Sequence, residues 1–200
     1  MPMMEKVKKM LPYMALVLLV MQLLLMLGSW FYSAAFPMSG VRSLLSGEGM
    51  RWLLGHFSDI MATPVLVGLL LLSMGYGCLY KSGLLCVNGS YRESRARMIT
   101  LLLLLIIVGV MLLLVVVPHA VLLSATGTLW PSPFSASIIP VVAFSGVLLG
   151  AVYGIVSGHF TGLHDIFDSL LYGISMGAPL LLFYILLNQI YESVLFVLPA

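Results

Sequence analysis

Apolar residues along this chain fall into five blocks set apart by short polar intervals: Leu11 to Phe36, Met61 to Tyr80, Met98 to Val117, Ile138 to Val156 and Leu170 to Leu198. Each approaches or exceeds the ~20 residues that a helix needs to cross a hydrocarbon core. The Leu, Val and Ile runs are continuous rather than alternating, so they do not fit the strands of a barrel, whose residues switch face at every step. The pattern predicts an all-α, polytopic membrane protein with five transmembrane helices. These spans and their connections use residues 1–200 as a single transmembrane domain and leave no room for a separate water-soluble one.

Between the first two blocks the period changes. Ser46-Gly47-Glu48-Gly49 reads as a helix start, with Ser46 as cap and Glu48 near the positive end of the helix dipole. Met50, Leu53, Leu54 and Phe57 then recur at helical spacing against Arg51, Gly55, His56 and Ser58. This predicts an interfacial amphipathic helix over about 46–58 that feeds the second span. Pro64 falls within the first turn or two of that span, where a proline costs least.

Polar and glycine positions divide the remaining spans. Lys81-Ser82-Gly83 ends the second, Asn88-Gly89-Ser90 is a turn signal, and Pro118 and His119 close the third. The loop from Ser124 to Pro140 carries Trp130-Pro131-Ser132-Pro133-Phe134, aromatic residues suited to an interface with two stiffening prolines. Gly146, Gly150 and Gly154 recur every fourth residue in the fourth span, and Gly68 and Gly75 lie in the second. Small residues at such spacing let helix backbones approach closely, so all five are read as packing positions.

The chain is 62% hydrophobic and 8% charged, so each charge can be assigned a role. With the amino terminus in the cytoplasm, Lys6, Lys8, Lys9, Lys81, Arg92, Arg95 and Arg97 fall inside and only Arg42 and Arg51 outside. The positive-inside rule selects that orientation and places the carboxy terminus on the far side. Glu5-Lys6-Val7-Lys8-Lys9 before an apolar run could be taken for a secretion signal. The run is too long for one, however, and Trp30, Phe31, Tyr32 and Phe36 close it as an aromatic belt, so it is read as a retained helix.

Candidate chemistry is sparse. No nucleophile is paired with a base, no glycine loop has a phosphate-binding setting and no nucleic-acid face is present, which argues against an enzyme and against a cofactor. Cys78 and Cys86 lack metal-ligand spacing and read as small hydrophobes. His159, His164, Asp165 and Asp168 cluster between the fourth and fifth spans. A metal site is conceivable there, but capping of the fifth helix by Thr161 or His164, with the two aspartates complementing its dipole, explains them better, and no metal is expected. Asn188, Gln189 and Glu192 lie in the outer third of the fifth span. They are the candidate substrate-binding residues, weighed against an interhelical hydrogen-bonding patch.

Two stretches resemble the aminobenzoyl-glutamate transporter (AbgT) family. Val41 to Leu85, VRSLLSGEGMRWLLGHFSDIMATPVLVGLLLLSMGYGCLYKSGLL, is similar to that family's "LLS-EG-RW" helix and the span after it. Trp130 to Asn188 is similar to its "PSPF-SI-P" start, its "YGI-G" span and its "KD" linker, the last at Asp165. The resemblance implies a bacterial inner-membrane location with a periplasmic carboxy terminus, and transport of aminobenzoyl-glutamate and similar aromatic acid conjugates. The two re-entrant hairpins of that family have no counterpart: Val87 to Tyr91 bridges the first, and the sequence stops at Ala200 ahead of the second.

No predicted span places an ionisable residue at mid-depth, where carriers hold ions and substrates. The expectation is therefore a transport-related scaffold that acts as a homo-oligomer or with a membrane partner subunit in the lipid bilayer. The alternative is a non-transporting anchor or assembly subunit of a larger complex. For the orientation, a cysteine introduced by Ser132→Cys in a cysteine-free background should react with an impermeant maleimide added outside intact cells, and Ser94→Cys should not; the reverse labelling would invert the topology.

Overall fold

A computed structural model describes residues 2–86, 91–116 and 133–198, which are helical apart from short connections and include no strand. Its elements are α1 (Pro2–Ala35), α2 (Gly47–Gly55), α3 (Phe57–Met61), α4 (Pro64–Lys81), α5 (Tyr91–Val116), α6 (Pro133–Ser157) and α7 (Leu163–Val197). Five of these, α1, α4, α5, α6 and α7, are long and apolar enough to cross a membrane. The chain is an all-helical polytopic membrane protein. The Asn88-Gly89-Ser90 turn, Val117, Pro118 and His119, and Trp130-Pro131-Ser132 lie outside the described residues.

Helices extend past the apolar blocks. The Arg, Glu and Ala residues ahead of Met98 are good helix formers and α5 starts at Tyr91, while α7 starts at Leu163 rather than Leu170 with Asp165 in its first turn, at the positive end of the helix dipole. The amphipathic segment differs from the expected single helix. His56, at φ −99° and ψ 4°, leaves helical geometry and separates α2 from α3 just after Gly55, a residue with poor helix propensity. Ser46 caps α2 through its Oγ, which accepts from Gly49 N–H at 3.0 Å.

The chain divides into two compact units, one of Met1–Val67 with Ala178–Ala200, the other of Gly68–Gly177. In the first, α1 runs beside the end of α7 in the same direction. Met14 and Val17 share a groove with Phe183 and Leu187, Gln22 bonds Ser193, and Gly28 and Tyr32 share a pocket with Val194 and Leu198. First and fifth spans of a five-span chain must run in the same direction, and here they do. The connection after α1 is tied down as well. Leu44 is fully buried against Leu25, Met26, Trp52, Phe196 and Val197. Its N–H donates to Ser29 Oγ at 3.2 Å, while Arg42 N–H donates to Val197 O at 3.1 Å. Trp52 stacks on Phe196 at 4.5 Å between centroids, and the Arg42 guanidinium sits 5.8 Å from the same ring.

The second unit is assembled through small residues. A Cβ built on Gly75 would lie 2.9 Å from Ala143 O, and one on Gly150 would lie 2.8 Å from the Cys78 carbonyl carbon. Gly77 and Gly173 face each other so closely that a side chain on either would collide with backbone. Contacts ascend together along α4 and α6 (Gly68 with Ile139, Gly75 with Ala143 and Gly146, Cys78 with Gly150) but run opposite ways along α4 and α7 (Gly77 with Ser169, Ser73 with Gly177). Helix directions in this unit therefore alternate as consecutive membrane crossings require.

Gly154 serves a different neighbour from the one its four-residue spacing suggests. The ring of Phe160, from the connection after α6, occupies the space a Cβ there would need. Gly158, at φ +87°, turns the chain, and the N–H groups of Gly158 and Phe160 both fold back to Gly154 O, at 3.1 and 2.9 Å. Arg92 completes this end of α6 by donating from Nε to Val156 O at 3.1 Å, a cation placed at the negative end of the helix dipole.

The packing makes a paired prediction for thermal unfolding in detergent. Gly77→Val should lower stability by at least ~2 kcal/mol because rigid backbone lies where the side chain must go. Gly109→Ala, a site with nothing within 4 Å, should be neutral or stabilise by about 0.5–1 kcal/mol through helix propensity.

Candidate functional site

The polar residues of the first unit gather around an interruption that Pro64 creates. In an unbroken helix the Ile60 carbonyl would accept from the N–H of residue 64, and proline has none. In apolar surroundings an unpaired carbonyl costs about 1–3 kcal/mol. Here α3 stops at Met61, α4 begins at Pro64, and the freed Ile60 oxygen takes the Asn188 amide, Nδ2 to O 2.6 Å. One turn earlier on α7, Tyr184 OH shares a 2.7 Å hydrogen bond with Thr63 Oγ1, which also accepts Leu66 N–H at 3.3 Å and so caps α4. Asn188 and Tyr184, spaced i and i+4, act together as the plug of a helix break.

The neighbouring stripe of α7 meets α1. Gln22 donates from Nε2 to Ser193 Oγ at 2.9 Å, and Ser193 is fully buried. Gln189, one turn before Ser193, is half-buried and its Oε1 has no partner, as is also true of Gln22 Oε1. Glu192 is half-buried beside this band. Thus the three sequence-derived candidates separate. Asn188 is committed to backbone, Gln189 keeps a free acceptor in the interior of the unit, and Glu192 is on neither hydrogen-bonded contact.

Four residues of this band were missed as site members from sequence: Gln22, Thr63, Tyr184 and Ser193. Gln22 had a visible signal, a lone amide in the apolar run Val20-Met21-Gln22-Leu23-Leu24. Thr63 is the residue before Pro64 and so a candidate cap. Tyr184 and Ser193 had no distinguishing mark, since their partners lie far along the chain.

Two cavities of this unit are mainly apolar. One of about 370 Å³ is lined by Leu25, Gly28, Ser29, Tyr32, Val41, Val194, Val197 and Leu198, and another of about 640 Å³ by α1 side chains with Phe183 and Leu187. Neither is lined by Asn188, Gln189 or Glu192.

The histidine–aspartate cluster of the second unit is drawn into separate local contacts. Asp165 Oδ2 accepts from Thr161 N–H at 2.6 Å and from its hydroxyl at 2.8 Å, His164 pairs with Asp168 at 3.4 Å, and His159 Nδ1 contacts Ser157 Oγ at 2.8 Å. Among the described residues no three His, Cys, Asp or Glu side chains converge on a common point.

The chain matches no protein-family model, no curated protein and no solved structure.

The helix-break reading has a direct test. Asn188→Leu keeps the side-chain size but removes the donor, and should cost about 1–3 kcal/mol in unfolding measurements. In a Pro64→Ala background, where residue 64 regains an N–H for the Ile60 carbonyl, the same change should cost less; strictly additive effects would refute the link between the two residues.

Proposed function

We propose that this protein is a membrane-embedded scaffold and oligomerisation subunit that takes part in solute transport through a partner, not as a free-standing carrier. Carriers bind solutes where broken helices present backbone ends and polar side chains to a cavity. The observation that carries the proposal is the state of the α3–α4 break, whose freed carbonyl and capping hydroxyl are occupied by Asn188 and Tyr184. A solute entering there would have to displace hydrogen bonds that the fold itself needs.

Two further observations support the reading. The most apolar stretch of α1 buries none of its residues within the first unit, and that of α5 buries 6% within the second. Such faces suit lipid, a second copy or a partner helix equally by polarity, which is what a scaffold presents. The aminobenzoyl-glutamate transporter-like motifs at Val41 to Leu85 and Trp130 to Asn188 supply the substrate class, aromatic acid conjugates, for the assembly as a whole. In bacteria the assembly would sit in the inner membrane with its amino terminus in the cytoplasm.

Reconstitution tests this. Liposomes holding the purified chain alone should take up p-aminobenzoyl-glutamate no faster than empty ones, and robust flux would sink the scaffold reading. Mild detergent extraction should yield a homo-oligomer or a complex with a carrier polypeptide; a stoichiometric partner unrelated to transport would instead favour an anchoring role.

A further inference from the structure

The first turns of α5 carry Arg92, Glu93, Arg95 and Arg97 directly ahead of an apolar run. At 100° per residue these charges divide between two sides of the helix. Glu93 and Arg97 lie with the buried Ala96 and Thr100, and Glu93 Oε2 is itself buried. Arg92 and Arg95 lie on the other side, and both are exposed. Arg95 has no hydrogen bond or ion pair with any described residue, and Arg92 donates from Nε to Val156 O with its guanidinium lying against Gly158. The acidic groups of the α6–α7 connection are already engaged, Asp165 by Thr161 and Asp168 by His164.

Below the two arginines the same side of α5 continues as Ile99, Leu102, Ile106 and Val110. These are 45%, 60%, 53% and 49% exposed, a stripe at helical spacing. It ends in a groove of about 420 Å³ between α5 and α6, where Ile106 and Val110 face Pro140, Phe144 and Leu148. Ile106 stands roughly 16 Å along the axis from Arg95 at 1.5 Å per residue. Half of a hydrocarbon core is about 15 Å. A chain anchored at the arginine level therefore reaches the groove with its far end.

We propose that this side of α5 binds one anionic phospholipid of the cytoplasmic leaflet. Its phosphate lies between Arg92 and Arg95, and one acyl chain lies along the stripe and into the groove against Phe144. Exposed cations immediately above an unpartnered apolar stripe match the two ends of such a molecule, and a zwitterionic lipid gains less from the same cations. A soluble anion matches only the upper end.

Native mass spectrometry of the full purified chain, titrated with phosphatidylglycerol or phosphatidylcholine of identical chains, tests the proposal. Phosphatidylglycerol should bind more tightly. Arg95→Gln should weaken it about fivefold, the effect of one surface cation near a membrane anion. Arg95 is the deciding position because it makes no hydrogen bond or ion pair with any described residue, whereas Arg92→Gln would also uncap α6. Ile106→Trp, which fills the groove, should weaken both lipids while keeping the preference between them. Equal affinity for the two lipids, no effect of Arg95→Gln, or displacement of the bound lipid by millimolar inorganic phosphate would each overturn it.

Discussion

A backbone carbonyl or amide inside a bilayer must find its partner within the protein, because no water is there to supply one. That single requirement makes every long element of this chain a helix, and it acts most sharply where a helix cannot continue. Pro64 removes one donor, and the Ile60 carbonyl it strands is met by an amide from α7. Thr63, next to the break, bonds Tyr184 of the same helix. Asn188, which stands out as a polar residue in the fifth span, is thereby explained first by what the backbone needs. Any role toward a solute falls to what remains, the unpartnered acceptor of Gln189 and the carboxylate of Glu192.

Where the backbone is satisfied, close approach takes over as the source of cohesion. Lipid tails are as apolar as leucine, so burial of side chains between helices gains little in a membrane, and packing depends on how near the backbones can come. The second unit follows this rule at Gly75, Gly77, Gly150 and Gly173, each set against backbone of a neighbouring helix. Gly154 belongs to the same four-residue series yet receives the Phe160 ring. A residue repeat in a sequence reports a smooth helix face, but what fills that face depends on the path of the chain after the helix ends.

Helix existence and order were legible because twenty-residue apolar runs admit few alternatives. The cap at Ser46 was legible because capping uses neighbours only three residues apart. The division of the amphipathic segment at His56 was not. It falls just after Gly55, a residue with poor helix propensity, where the Trp52 ring lies between His56 and Phe196 from the other end of the chain. Of the candidate site, the residues Asn188, Gln189 and Glu192 could be picked out as polar groups in an apolar span. Their division into a committed amide and a free one could not, since it depends on partners such as Ile60 and Gln22 more than a hundred positions away.

Sequence alone therefore determined the all-helical class and the five apolar spans, because each follows from transfer free energies that add residue by residue along the chain. The three-dimensional arrangement decided which of the few polar groups hold the fold together and which are left over. It also separated Arg97, on the inner side of α5, from Arg92 and Arg95, which face outward above an apolar stripe. Hydrogen bonding is directional and short-ranged, so the worth of an amide or a guanidinium in a membrane is settled only by the atoms within about three ångströms of it.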